Sequence, residues 1–153
     1  MPLNRNLDWR SVQGLHVASA SRPVSPEPDL RSAAVEAFGD PAGMQLKTPY
    51  PITKAAMVIL SERWPQTMSV TDLCAAARRR LDVGPVSAPD AAVVADDART
   101  LGTDLLRCLS AGLVELHAMA PRFALEAGDR PRATPVARLQ AEKGLRVTNA
   151  RHE

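Results

Sequence analysis

Ile52-Thr53-Lys54-Ala55-Ala56-Met57-Val58-Ile59-Leu60-Ser61-Glu62-Arg63-Trp64-Pro65 sets the reading of the whole chain. Ile52, Ala55, Ala56, Ile59 and Leu60, then Arg63 and Trp64, recur at spacings of three and four. That is the period of a helix with one apolar side. Thr53 stands where a capping side chain is expected. Pro65 has no N–H to continue the ladder and ends the helix. Downstream, Ser69-Val70-Thr71-Asp72 has the form of a capping box, with Asp in place of the usual Glu or Gln. Val70, Leu73, Cys74, Ala77 and Leu81 then share one apolar face, closed by Gly84 and Pro85. A third helix is expected over residues 89–111, with Ala98, Leu101, Leu105, Leu106 and Leu109 inward and Gly112 at its end. Leu113 to Met119 alternates like a strand, Pro121 breaks it, and Arg122 to Glu126 alternates again. Three helices followed by a β-hairpin is the winged-helix arrangement.

Toward the N-terminus, Leu15-His16-Val17-Ala18-Ser19 fits a strand. Ser21 to Pro28 holds three prolines in eight positions and reads as an exposed connection. Ala33 to Phe38 is a second apolar run, Gly39-Asp40-Pro41-Ala42-Gly43 a turn, and Met44 to Thr48 a third strand. The expected fold class is therefore α+β: a small β-containing piece over 1–50, then a winged helix with a C-terminal tail over 51–153. In the tail, Thr134 caps a short helix, Pro135 suits its first turn and Gly144 ends it, and Leu145 to Thr148 is a last strand. Asn149 to Glu153 adds no closing element, the pattern expected of a piece of a longer protein.

Of the 153 residues, 45% are hydrophobic and 24% charged, enough for a core. Aromatics make up 3%, so that core rests on Leu, Val, Ala, Ile and Met. No apolar run approaches the length of a membrane span. The start lacks a signal-peptide hydrophobic region, so the cytoplasm is the expected location. Cys74 and Cys108 sit in apolar helical patterns and read as buried free thiols; with no C-x-x-C spacing, a thiolate zinc site is not expected.

No glycine-rich phosphate or cofactor loop is present, nor a Gly-x-Ser-x-Gly elbow. His16, His117 and His152 are far apart and form no metal-binding pair at helical spacing. The reading is that of a chain without catalytic, cofactor-binding or metal-ligating residues of its own.

A winged helix raises the question of DNA, read by its third helix. That helix carries Asp90, Asp96, Asp97 and Asp104 against Arg99 and Arg107, a net −2 that opposes approach to phosphates. The formal net charge of the chain, +2, is too small to argue for nucleic acid. Arg78-Arg79-Arg80 is a basic cluster, but it closes the second helix, where cations complement the helix dipole. Those three residues, with Arg122 near the wing, are the candidate contacts of the alternative reading, a winged-helix DNA-binding transcriptional regulator.

Gly14 to Ser19 and the Phe38-to-Gly43 turn resemble the regulatory domain of S-adenosylmethionine-dependent methyltransferases, the bacterial protein-lysine-methyltransferase-like proteins. Pro2-Leu3-Asn4-Arg5 is similar to a point inside that domain. Pro51 to Ala56 with Glu62-Arg63-Trp64-Pro65 resembles the opening of the family's C-terminal winged helix, and Ala111 to His117 the end of its third helix and first wing strand. Arg130-Pro131, Pro135 to Ala141, Val147-Thr148-Asn149 and His152 resemble its tail. The resemblance implies a regulatory or interaction region, with S-adenosylmethionine held in a catalytic domain absent from this chain. The partners it implies are that catalytic domain, a protein substrate, or a twin subunit in a homodimer.

Overall fold

The computed structural model describes residues 7–81, 91–121, 133–144 and 147. In chain order the elements are a 3-10 turn (Trp9–Val12), β1 (His16–Ala18), β2 (Arg22–Pro23), β3 (Glu36–Gly39), β4 (Gln45–Thr48), α1 (Pro51–Arg63), β5 (Met68–Ser69), α2 (Val70–Arg80), α3 (Ala91–Ser110), β6 (Glu115–His117) and α4 (Pro135–Ala141). Helices mix with two small antiparallel sheets, so the fold is α+β, as expected. The chain divides into two units, Met1–Ala120 and Pro121–Glu153.

In the first unit α1 is central. Every residue from Ile52 to Leu60 is buried, so the helix is covered all round and not on one side only. A helix in that position is enclosed by its neighbours, and α2, α3, β1 and β2 all pack on it. Thr53 does not cap it. The N-cap is Tyr50, which makes no side-chain cap, and Pro51 starts the helix with its φ already set. Thr53 lies inside the helix and turns its hydroxyl to α3.

The end of α2 nearest Ser69 follows the sequence closely. Ser69 Oγ accepts the Asp72 N–H at 3.0 Å and donates to Asp72 Oδ2 at 2.7 Å. The box thus closes through the hydroxyl itself. Val70, Leu73, Cys74 and Ala77 are buried, and Leu81 packs against them. Its expected stop at Gly84 and Pro85 lies outside the described residues. α3 buries Leu101, Gly102, Asp104, Leu105 and Cys108. Leu109, expected inside, is 39% exposed, because it lies off the stripe that runs through Leu101, Leu105 and Cys108. The helix ends in a Schellman motif: the Leu113 N–H bonds to the Cys108 carbonyl at 2.9 Å and the Gly112 N–H to that of Leu109 at 3.0 Å. Gly112 supplies the positive φ of 73° that this cap requires.

One sheet has the order β5-β1-β6. His16 pairs with Ser69 on one side and His117 on the other, and Val17 with Met68 and Leu116. β1, from the first fifty residues, therefore lies between two strands from beyond residue 50. Residues 122–126, expected to pair with β6, lie outside the described residues. The second sheet is β2-β3-β4, with Phe38 opposite Pro23 and Leu46. Pro23 sits on an edge strand, where its missing N–H costs no ladder bond. Phe38 has no exposed surface and joins the core. The expected turn between β3 and β4 forms: the Asp40 N–H bonds to the Met44 carbonyl at 3.0 Å, and Asp40 Oδ1 accepts the Met44 N–H at 2.8 Å.

In the second unit Thr134 Oγ1 accepts the Ala137 N–H at 3.1 Å and Pro135 opens α4, which stops before Gly144. The strand expected at residues 145–148 lies, Val147 apart, outside the described residues. Among the described residues no helix is long and apolar enough to cross a membrane.

Candidate functional site

The basic cluster singled out in the sequence is engaged by carboxylates. Arg78, at the end of α2, is ion-paired with Asp97 on α3, and both are largely shielded. Arg80 makes a two-pronged bond to Glu62 at the end of α1, at 2.6 and 2.7 Å. The geometry is bidentate, the strong form of the pair, and it holds the Arg80 guanidinium more firmly protonated than usual. Arg79 is exposed. Arg122 lies outside the described residues. The cluster thus ties α2 to α1 and α3, which the sequence does not reveal because both acids are on other helices.

Two buried polar centres tie α1 to other parts of the first unit, one to α3 and β4 and one to the loop between β2 and β3. Asp104 on α3 is 3% exposed. It accepts the Thr53 hydroxyl at 2.7 Å, that of Thr48 at 3.4 Å and a guanidinium N–H of Arg107 at 3.3 Å. Lys54 has no exposed surface. Its Nζ donates to the carbonyls of Asp29, Ser32 and Ala34 at 2.5, 2.8 and 3.1 Å. All three donor directions of an ammonium group are used. The sequence reading counted Asp104 only as one of the acids on the third helix and gave Lys54 no role of its own; the signal was a charged residue within an apolar stripe.

His16 and His117 meet as direct partners across β1 and β6, and the His117 ring lies 3.3 Å from Glu115 Oε2. His152 lies outside the described residues. Among the described residues no group of three His, Cys, Asp or Glu side chains is arranged to hold a metal ion. Cys74 and Cys108 are buried free thiols. Burial pushes both thiols up, with Asp97 adding to the effect at Cys74 and Asp104 at Cys108, which reaches about 12.

Among the described residues, two of the cavities open on the first unit. The larger, about 200 Å³, lies where four segments converge: the end of β1, the Asp40-Pro41-Ala42 turn, Trp64 after α1, and Gly112 to Glu115 after α3. Beside it, Ser19 Oγ and Ser21 Oγ both donate to the Leu113 carbonyl, at 2.6 and 3.3 Å, and clamp two of those segments. The smaller, about 170 Å³, is lined by Tyr50, Arg99, Thr100, Thr103, Asp104 and Arg107. Its two arginines are each paired with a carboxylate on their own helix, Asp96 and Asp104.

No family model matches the sequence, and no curated protein matches it. Solved structures do. PKMT2 from Rickettsia typhi superposes with a TM-score of 0.71 at 18% identity, over 100% of this chain and 31% of that one. The same protein in complex with AdoHcy superposes with a TM-score of 0.68 at 18% identity, over 100% of this chain and 30% of that one. The chain therefore spans less than a third of the length of the protein it resembles, and what the two share at this identity is a fold.

Proposed function

We propose that this chain is a non-catalytic regulatory or interaction region of an S-adenosylmethionine-dependent methyltransferase, with the catalytic domain supplied outside it. The observation that carries the reading is the superposition of the whole chain on under a third of PKMT2. The order α1, β5, α2, α3, β6 supports a winged helix within it. Its work would be packing: the sheets and helices offer a rigid scaffold to the catalytic domain, a protein substrate or a second copy.

The described residues offer no cradle of the usual kind for S-adenosylmethionine. A doubly wound cofactor domain cradles its ligand on a glycine-rich passage from a strand into a helix. The two such passages among the described elements, β4 to α1 through Pro49-Tyr50 and β5 directly into α2, contain no glycine.

Calorimetry with S-adenosylmethionine tests the reading. No binding is expected to the chain alone, while the adjoining coding sequence should encode a strand followed by a glycine-rich turn and bind the cofactor. Micromolar binding by this chain would overturn the non-catalytic reading. The alternative, a DNA-binding regulator, is weakened by the pairing of Arg78 and Arg80. Salt-steep binding to duplex DNA, lost in Arg79→Glu, would restore it.

A further inference from the structure

We infer that the outward face of the β2-β3-β4 sheet binds a short extended segment of a partner protein, one with a carboxylate at each end and an apolar side chain between them. The inference does not depend on the methyltransferase reading. It rests on the register of the three strands and on what the pleat turns outward.

Successive side chains of a strand take opposite faces of the sheet. Phe38, buried, sets the inner face, with Pro23 and Leu46 opposite it. The outer face then carries Arg22 and Gly39 in one row, and Ala37 and Lys47 in the next. The Val24 N–H bonds to the Ala37 carbonyl at 2.9 Å, which brings Val24 into that second row. Val35, just before β3, continues the alternation. Val24 and Val35 are 59% and 63% exposed, and Arg22 and Lys47 are exposed as well. Glu36, the acid within these strands, belongs to the inner face and accepts the Asp29 N–H at 2.9 Å. The outer face is thus apolar at its centre and cationic at two diagonal corners.

Lys47 lies two strands over and two residues along from Arg22. With strands about 4.8 Å apart and about 3.3 Å per residue, their Cα atoms are roughly 12 Å apart. An extended segment covers nearly the same distance between residues i and i+4, whose side chains share a face with that of i+2. The pattern acid-x-apolar-x-acid therefore sets one carboxylate beside each cation. Its central side chain comes down on Ala37 and Gly39, the smallest residues of the face, with Val24 as a wall. Val24 Cγ2 is 3.9 Å from the point where a Cβ at Gly39 would stand. The face measures roughly 10 by 13 Å. That is a small part of the ~800 Å² that each partner gives to a stable interface, so it suits a short segment and not a second copy. At an anionic membrane two cations contribute about 1 kcal/mol each, too little to hold the chain there.

The test is a nuclear magnetic resonance titration of the full chain, following the backbone N–H groups of Ala37, Gly39 and Lys47. The probes are capped peptides: Glu-Thr-Val-Thr-Glu, its counterpart with lysine at both ends, its counterpart with serine at the centre, and the shortened Glu-Thr-Val-Glu. Saturable shifts with the first, at Kd on the order of 1 mM, are expected. The other three should each bind about fivefold more weakly or less. The double variant Arg22→Glu, Lys47→Glu changes exposed side chains only, and it should exchange the preference, binding the lysine peptide in place of the glutamate one. Val24→Ser should weaken binding with the fold retained. No saturable shift, equal binding of the serine or the shortened peptide, or an unchanged glutamate preference in the double variant would each overturn the inference. Shifts of the same N–H groups with mixed phosphatidylserine and phosphatidylcholine vesicles, and none with the peptides, would assign the face to a lipid surface and overturn it as well.

Discussion

Lys54 Nζ donates to the Ser32 carbonyl at 2.8 Å from a side chain with no exposed surface. With the Asp29 and Ala34 carbonyls it pins the loop between β2 and β3 onto the central helix. Lys54→Met keeps the stem and removes the ammonium. The loop carbonyls can regain water, so the loss should be about 1.5–3 kcal/mol, the range for a charge-assisted hydrogen bond. Urea denaturation measures it, and hydrogen exchange at Arg31, Ser32 and Ala34 should accelerate. An unchanged midpoint and unchanged exchange would show that the loop holds without its clamp.

The same loop carries a pH signature. The Ser32 hydroxyl, the Ser32 and Arg31 N–H groups and the nearby Lys54 charge hold the Asp29 carboxyl down to about 2, against 3.8 ordinarily. A folded pKa below the unfolded one stabilises the fold above the unfolded value, and that contribution is lost as pH falls toward 2. Asp29→Asn should therefore be less stable than the native chain at pH 6 and converge with it near pH 2. Acid titrations of both by circular dichroism would show the convergence; a constant gap across that window would refute it.

Thr53→Val tests the other buried centre. It deprives Asp104 of its 2.7 Å donor and leaves the longer contacts to Thr48 and Arg107. A buried acceptor that loses its partner costs about 1–3 kcal/mol. A double-mutant cycle with Asp104→Asn should show coupling, and additive losses would separate the two residues.

Gly102 is a contact, not a hinge. A Cβ built there would stand 2.8 Å from the Trp9 carbonyl oxygen and 3.0 Å from the Trp9 Cβ. Gly102→Ala gains about 1 kcal/mol of helix propensity. The crowding costs typically 1–3 kcal/mol and should win, because the obstacle is backbone. Gly14→Ala, with nothing within 4 Å of its Cβ, is the control. The thermal midpoint should drop for the first variant only.

The thiols give an alkaline counterpart. Cys108 is raised to about 12 from 9.0 by burial, then by Asp104. The unfolded chain loses that proton first, so stability should fall as pH rises above 9. Iodoacetamide should leave both cysteines unmodified in the folded chain at neutral pH and label them in urea. Rapid labelling of the folded chain would contradict their burial.

The local elements were legible in the sequence. Ser69 and Thr134 cap the helices they precede, Gly112 ends α3, and the Asp40 turn closes, each through groups within about five residues of one another. Turn chemistry and capping act at that range, so a single sequence carries them. The α2 face was legible for the same reason.

What the periodicity of 52–64 could not say is that α1 is covered on every side, which turned Thr53 from a cap into a buried donor and Lys54 into a clamp on a loop 20 to 25 positions away. Nor does any local signal place β1 between β5 and β6, or gather Asp40, Trp64 and Glu115 around one cavity. The sequence by itself determined the caps and turns that near neighbours make, at Ser69, Thr134, Gly112 and Asp40. The tertiary structure alone decided which faces are covered and which distant side chains meet, because burial and strand pairing depend on what the rest of the chain brings alongside.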